Sequence, residues 1–144
     1  VNDRFEELLK ELGDALGVPL HPDKRRVCKL HINQELHVQI ECDLAKGEVL
    51  LGCFACEIPP GKYRENILKE ALKANHHFPR TAVLAYSAKN NQLALFHTLS
   101  LHQLSGKTLA DQLERFVEMA HAWKISIEQG GAAPSFQPHS KGKP

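Results

Sequence analysis

The sequence lacks most of the features that assign a function directly. It has no excess of either charge: 18 Lys and Arg stand against 17 Asp and Glu, a formal net charge of +1. That gives no footprint for nucleic acid or for an anionic membrane surface. No apolar run approaches the ~20 residues of a membrane span, and Val1 to Lys10 does not read as an export signal. There is no GxSxG, no HExxH, no dinucleotide fingerprint and no calcium loop. What remains is a chain of 144 residues that is 42% apolar and 24% charged, within the globular range. That length suits one domain, able to bury roughly 70% of its unfolded surface without a disulfide or metal staple.

Cysteine is present but not in a form that declares chemistry. Cys28, Cys42, Cys53 and Cys56 all fall in strand-like apolar runs, where a free thiol acts as a small hydrophobe. They read as reduced thiols of a cytosolic protein. Cys53 and Cys56 have CxxC spacing, but within the apolar run Val49 to Ile58 rather than at a helix start, where a thiol pKa is lowered. Residues three apart on a regular strand point to opposite faces, which makes chelation by this pair awkward.

Periodicity supplies the organisation. Phe5, Leu8, Leu9, Leu12 and Leu16 form one helical stripe over about 4–16. Asp3 with Glu6 resembles a capping box at its start, and Gly17 and Pro19 stop it. Cys28, Leu30 and Ile32 alternate with polar residues, as do Leu36, Val38, Ile40 and Cys42, with Asn33-Gln34-Glu35 as a tight hairpin between them. The third strand, Val49 to Ile58, is almost continuously apolar, so it is central in the sheet or covered on both faces. A helix over about 62–75, strands over 81–87 and 92–100, and a helix over about 107–127 follow. In the last helix Leu109, Leu113, Phe116, Ala120, Trp123 and Ile127 make a seam, most simply one helix lying on the sheet. The order α-β-β-β-α-β-β-α predicts an α+β domain, a mainly antiparallel five-stranded sheet packed by three helices. Residues 1–128 form this domain, and 129–144, rich in Gly, Ala, Pro, Ser and Lys, read as a flexible tail.

Two motifs fail as sites. Ser105-Gly106-Lys107-Thr108 opens a helix after a strand, yet a phosphate loop needs glycine where Leu101 stands, so Ser105 or Thr108 is read as a helix cap. Of nine histidines (His21, His31, His37, His76, His77, His97, His102, His121 and His139), His31 and His37 stand opposite one another if the hairpin pairs about Gln34. Such a pair binds metal weakly, and with no third ligand evident the two are read as solvent-facing. No catalytic residue, metal ligand or cofactor is assigned. A small metal- or thiol-dependent enzyme or regulator using Cys53, Cys56 and a histidine is the alternative reading.

The second half carries a familiar pattern. Asn66-Ile67-Leu68-Lys69-Glu70-Ala71-Leu72-Lys73-Ala74-Asn75 precedes a polar break, then Ala82 to Tyr86, a turn, Leu93 to Leu99, and a last helix with Phe116-Val117-Glu118 and Trp123. This resembles the class I type III secretion chaperones of the CesT (Tir chaperone) family, and the layout of the first half agrees. The resemblance implies a homodimer in the bacterial cytoplasm. It would bind the N-terminal segment of a secreted effector in extended form and keep it soluble and secretion-competent without ATP. The secretion ATPase or sorting platform would be a further partner. The near-neutral charge, the apolar CxxC strand and the tail depart from the family pattern.

Physical reasoning places client contacts on apolar residues of helix 1 and the first strands: Phe5, Leu8, Leu9, Leu12, Leu30, Ile32, Leu36 and Val38. Ordinary core packing is the competing reading for each. The resemblance implies dimerisation through helix 2 and the next strand, here Leu68, Leu72, Phe78, Val83 and Leu84, with packing inside the subunit competing at Leu68 and Val83.

Overall fold

A computed structural model describes residues 4–32, 36–76, 82–131 and 133–134. The elements run α1 (Arg4–Leu16), β1 (Val27–Ile32), β2 (Leu36–Asp43), β3 (Glu48–Glu57), α2 (Lys62–Ala74), β4 (Val83–Ser87), β5 (Gln92–Ser100), a 3-10 turn (Leu101–Gln103) and α3 (Gly106–Glu128). The expected α+β order is therefore the observed one. Asp3 of the expected cap, the hairpin residues Asn33 to Glu35, Phe78, and most of 129–144 lie outside the described residues.

The five strands form one sheet in the order β1-β2-β3-β5-β4, with every neighbouring pair antiparallel. β3 is central, which explains its apolar sequence. β3 and β4 both run antiparallel to β5, so they run parallel to each other, and α2 is the crossover that joins them. The sequence alone left open whether this helix crossed over or merely linked two strand groups.

Alternation decides the faces. Leu36, Val38 and Ile40 on β2, Val49, Leu51 and Cys53 on β3, and Leu93 and Leu95 on β5 are buried under α1 and α3. Along α1, Phe5, Leu8, Leu9 and Leu12 are fully buried. All six seam residues of α3 are buried too, so the seam is satisfied within the chain. Trp123, Phe5 and Phe116 are the largest fully buried side chains, each contributing about 1.5–3 kcal/mol of hydrophobic stabilisation or more. The Trp123 indole N–H is buried with no acceptor among the described residues.

Local chemistry sets the helix ends. Gly17, at φ 76°, takes the left-handed conformation that terminates α1, and the Val18 N–H returns to the Gly13 carbonyl at 3.0 Å. Ser105 caps α3 as expected: its hydroxyl accepts from the Thr108 N–H at 3.1 Å, and the Ser105 N–H donates to Thr108 Oγ1 at 2.8 Å. Gly106 then lies directly against α1. Its N–H donates to Glu11 Oε1 at 2.8 Å, and a Cβ placed there would stand 2.4 Å from the Glu11 Cβ. The short Ser-Gly string is thus a cap and a helix crossing rather than a phosphate loop.

The CxxC strand departs from the sequence reading. A register shift between Phe54 and Cys56 breaks the simple alternation, so Cys53 pairs with Leu95 and Cys56 with Leu93. Leu93 and Leu95 both face the core, and Cys53, Ala55 and Cys56 are all buried. The β-bulge, invisible in the spacing, places both thiols on the inner face instead of on opposite faces.

Candidate binding surfaces

The free edge of β4 is the first surface the fold creates. An edge strand exposes backbone donors and acceptors that template further pairing unless something covers them. Here Asn75, which caps α2, turns its side-chain amide onto the strand. Asn75 Nδ2 donates to the Leu84 carbonyl at 2.8 Å, and the Leu84 N–H donates to Asn75 Oδ1 at 2.8 Å. One primary amide supplies both the donor and the acceptor that a neighbouring strand would bring.

A second clamp fixes the other end of β4. The Arg64 guanidinium donates to Asn91 Oδ1 and to the Tyr86 hydroxyl, and lies over the Tyr86 ring at 4.5 Å. Asn91 Nδ2 in turn donates to the Ile58 carbonyl at 3.0 Å. Asn91 sits at φ 56°, a conformation asparagine tolerates better than most residues. α2, the β3–α2 junction and the β4–β5 turn are thereby held as one unit.

Among the expected dimer residues, Leu72 is 72% exposed on α2 while Leu68 is half-buried against the core. Val83 is half-buried, and Leu84 points inward at 4% exposure. Leu72 is thus the exposed member of this set among the described residues, with Leu68 and Val83 both half-buried. Phe78 lies outside the described residues.

The expected client residues are mostly interior in the single chain. Phe5, Leu8, Leu9, Leu12, Leu30, Leu36 and Val38 are buried, and Ile32 is half-buried against the same cluster. They belong to the single core cluster, in which α1 packs chiefly against α3 and β1 pairs with β2. Leu16 at the end of α1 and Val18 just beyond it are exposed apolar residues.

The sheet face away from α1 and α3 holds what sequence reasoning missed. Phe54 on β3 and Phe96 on β5 are 49% and 38% exposed. Gly52 stands opposite Phe96 and Ala94 opposite Phe54, while Val83 and Ala85 of β4 extend the same rows. The β1–β2 half of this face is polar, with Lys29, His31, His37 and Gln39. An apolar area rimmed by polar residues is the mark of an interaction surface. Its signal was the unbroken apolarity of β3, together with Phe96 falling out of phase with Leu93 and Leu95.

Two open clefts flank the sheet. One, of about 310 Å3, is lined by Glu41, Cys42, Asp43, Lys46, Glu48, Leu50 and Thr98. The other, of about 430 Å3, brings His37 and Phe54 near Cys56, Glu57, Lys124 and Glu128. Burial pushes the Cys53 and Cys56 thiols up to about 11 and raises Cys28 as well, the reverse of an activated nucleophile. Burial likewise lowers the pKa of His97 on β5, partly offset by its hydrogen bond with Gln112. Among the described residues no three His, Cys, Asp or Glu side chains gather as a metal site, and no helix is long and apolar enough to cross a membrane.

The chain is similar in fold to solved structures described as the HopA1-SchA chaperone-effector complex (20% identity, TM-score 0.72, 85% of this chain and 94% of the other) and the ExsC-ExsE complex (17%, TM-score 0.74, 85% and 92%). It is similar as well to the Yersinia pestis type III secretion chaperone SycH in complex with a fragment of YscM2 (21%, TM-score 0.67, 81% and 96%). No curated protein sequence matches the chain. At such identities these structures establish the fold. The family model of the Tir chaperone protein (CesT) family matches residues 7–124, nearly all of the α+β domain, and the chain belongs to that family.

Proposed function

We propose that this protein is a cytoplasmic type III secretion chaperone. It acts as a homodimer that holds the N-terminal segment of a secreted effector in extended form and delivers it to the secretion ATPase or sorting platform. The observation that carries this reading is the family match across residues 7–124. The chaperone-effector description of a structure with the same fold agrees with it.

The mechanism needs no catalytic group. An extended, partly apolar client loses its own disorder on binding and gains burial on a fixed surface, so its aggregation-prone side chains are withheld from one another. The outer sheet face around Phe54 and Phe96 has the exposed apolar area this requires. The α1 stripe belongs to the core on the other side of the sheet, where α1 packs against α3. Leu72 and Val83 are the candidate dimer contacts.

Co-expression tests the reading. A disordered N-terminal effector segment should co-purify with this chain and remain soluble only in its presence. Retention of folded domains instead of such segments, or no gain in solubility, would overturn it.

A further inference from the structure

We propose that His31 and His37 form a two-imidazole clamp for a late first-row divalent cation, bridging β1 and β2 on the polar half of the outer sheet face. The two residues are direct cross-strand partners in the β1–β2 register. Both side chains are exposed, and their rings meet edge-on with centroids 4.1 Å apart and planes at 70°. The contact therefore exists before any metal arrives, and the sheet holds both ligands without a loop having to close.

Distances favour one coordination geometry. Imidazole nitrogens bind such cations at about 2.1 Å, which puts the ring centroids about 3.2 Å from the metal. Two rings at a right angle would then have centroids about 4.5 Å apart, and two at the tetrahedral angle about 5.2 Å. From 4.1 Å the first needs a small opening of the rings and a turn of the edge-on ring so that both nitrogens face one point, and the second about 1 Å more separation than the contact has. A cis pair in a tetragonal or octahedral shell is the arrangement preferred by Ni(II) and Cu(II). Water completes the shell on the exposed side. The cleft beside His37 carries Glu57 and Glu128 against Lys124, which offsets Lys29, two residues from His31 on the same face. Because both nitrogens must be in register, the bound ion stabilises the pairing of the edge strand β1. This inference does not depend on the chaperone reading.

The test is titration of the full-length protein with Ni2+ alone, a probe that does not oxidise the four thiols. One equivalent should bind with a dissociation constant in the micromolar range. His31→Asn and His37→Asn should each weaken binding by at least about tenfold, while His121→Asn, on the exposed side of α3, should not. In the wild-type protein, paramagnetic broadening of NMR signals should centre on residues of β1 and β2. Absence of binding, variants that bind as the parent does, or broadening centred on another histidine would each overturn the proposal.

Discussion

Single side chains decide whether β4 remains a closed edge, and Asn75 is the clearest case. Its amide satisfies both backbone groups of Leu84. Asn75→Ala leaves them to water in a part-buried position, so it should lower stability by about 1–2 kcal/mol. A urea midpoint equal to the parent's would show that the clamp contributes nothing. Gly106 is a steric case. A methyl group there must displace the backbone of Glu11, so Gly106→Ala should cost about 1–3 kcal/mol in the same assay. The thiols make a pH prediction. Cys53 and Cys56 have folded pKa values near 11 against about 8.5–9 unfolded. The unfolded chain therefore loses these protons first. The stability this linkage contributes is complete below about pH 8.5 and is lost as pH rises toward 11. The urea midpoint should fall across that window, and the fall should shrink in a Cys53→Ala, Cys56→Ala double variant. An equal alkaline slope in parent and variant would assign the loss to other groups. The roles of Asn75 and Gly106 were not legible in the sequence, because each depends on a partner nine or more residues away, whereas the burial of the thiols was, in the apolar runs that hold them.

At the scale of elements, periodicity was enough wherever one face of an element is buried. α1, β2, β5 and the α3 seam follow their apolar spacing almost residue for residue. It failed where alternation is broken or where both faces are apolar. The bulge between Phe54 and Cys56 turned Cys56 inward, and no local residue pattern announces a bulge without its partner strand. The continuous apolarity of β3 fixed its central place but hid which side chains would stay exposed. α2 shows a related ambiguity: its apolar positions cannot distinguish Ile67 and Ala71, which are buried, from Leu72, which is not. That exposed leucine yields the prediction for this scale. Leu72→Asp should leave the subunit's stability within about 0.5 kcal/mol, as surface changes do, while shifting the protein toward a monomer of 16.1 kDa in light scattering. Leu44→Asp, an exposed leucine in the β2–β3 turn, is the control that should not. An unchanged dimer in the Leu72 variant would place self-association elsewhere.

Over the whole molecule, the apolar residues divide between one core and a few outward positions, and that division supports the outer sheet face as the proposed client surface. The core takes the entire α1 stripe apart from Leu16, together with the inner positions of β1 and β2. On the proposed reading, Phe54 and Phe96 are open to a client of the folded subunit, whereas Phe5 and Leu9 are fully buried. Phe54 is 49% exposed, so covering its free half is worth about 1–1.5 kcal/mol of the full value for a phenylalanine. Phe54→Ala should therefore weaken an effector N-terminal segment by about tenfold. Phe54→Asp should weaken it further, because a carboxylate resists desolvation under the client. Both variants should keep the parent's urea midpoint to within the error expected for a half-exposed site. A calorimetric titration with a purified segment reads the loss directly. If both variants bind as the parent does and Leu16→Asp with Val18→Asp abolishes binding instead, the client lies along the end of α1 and the outer sheet face has another occupant.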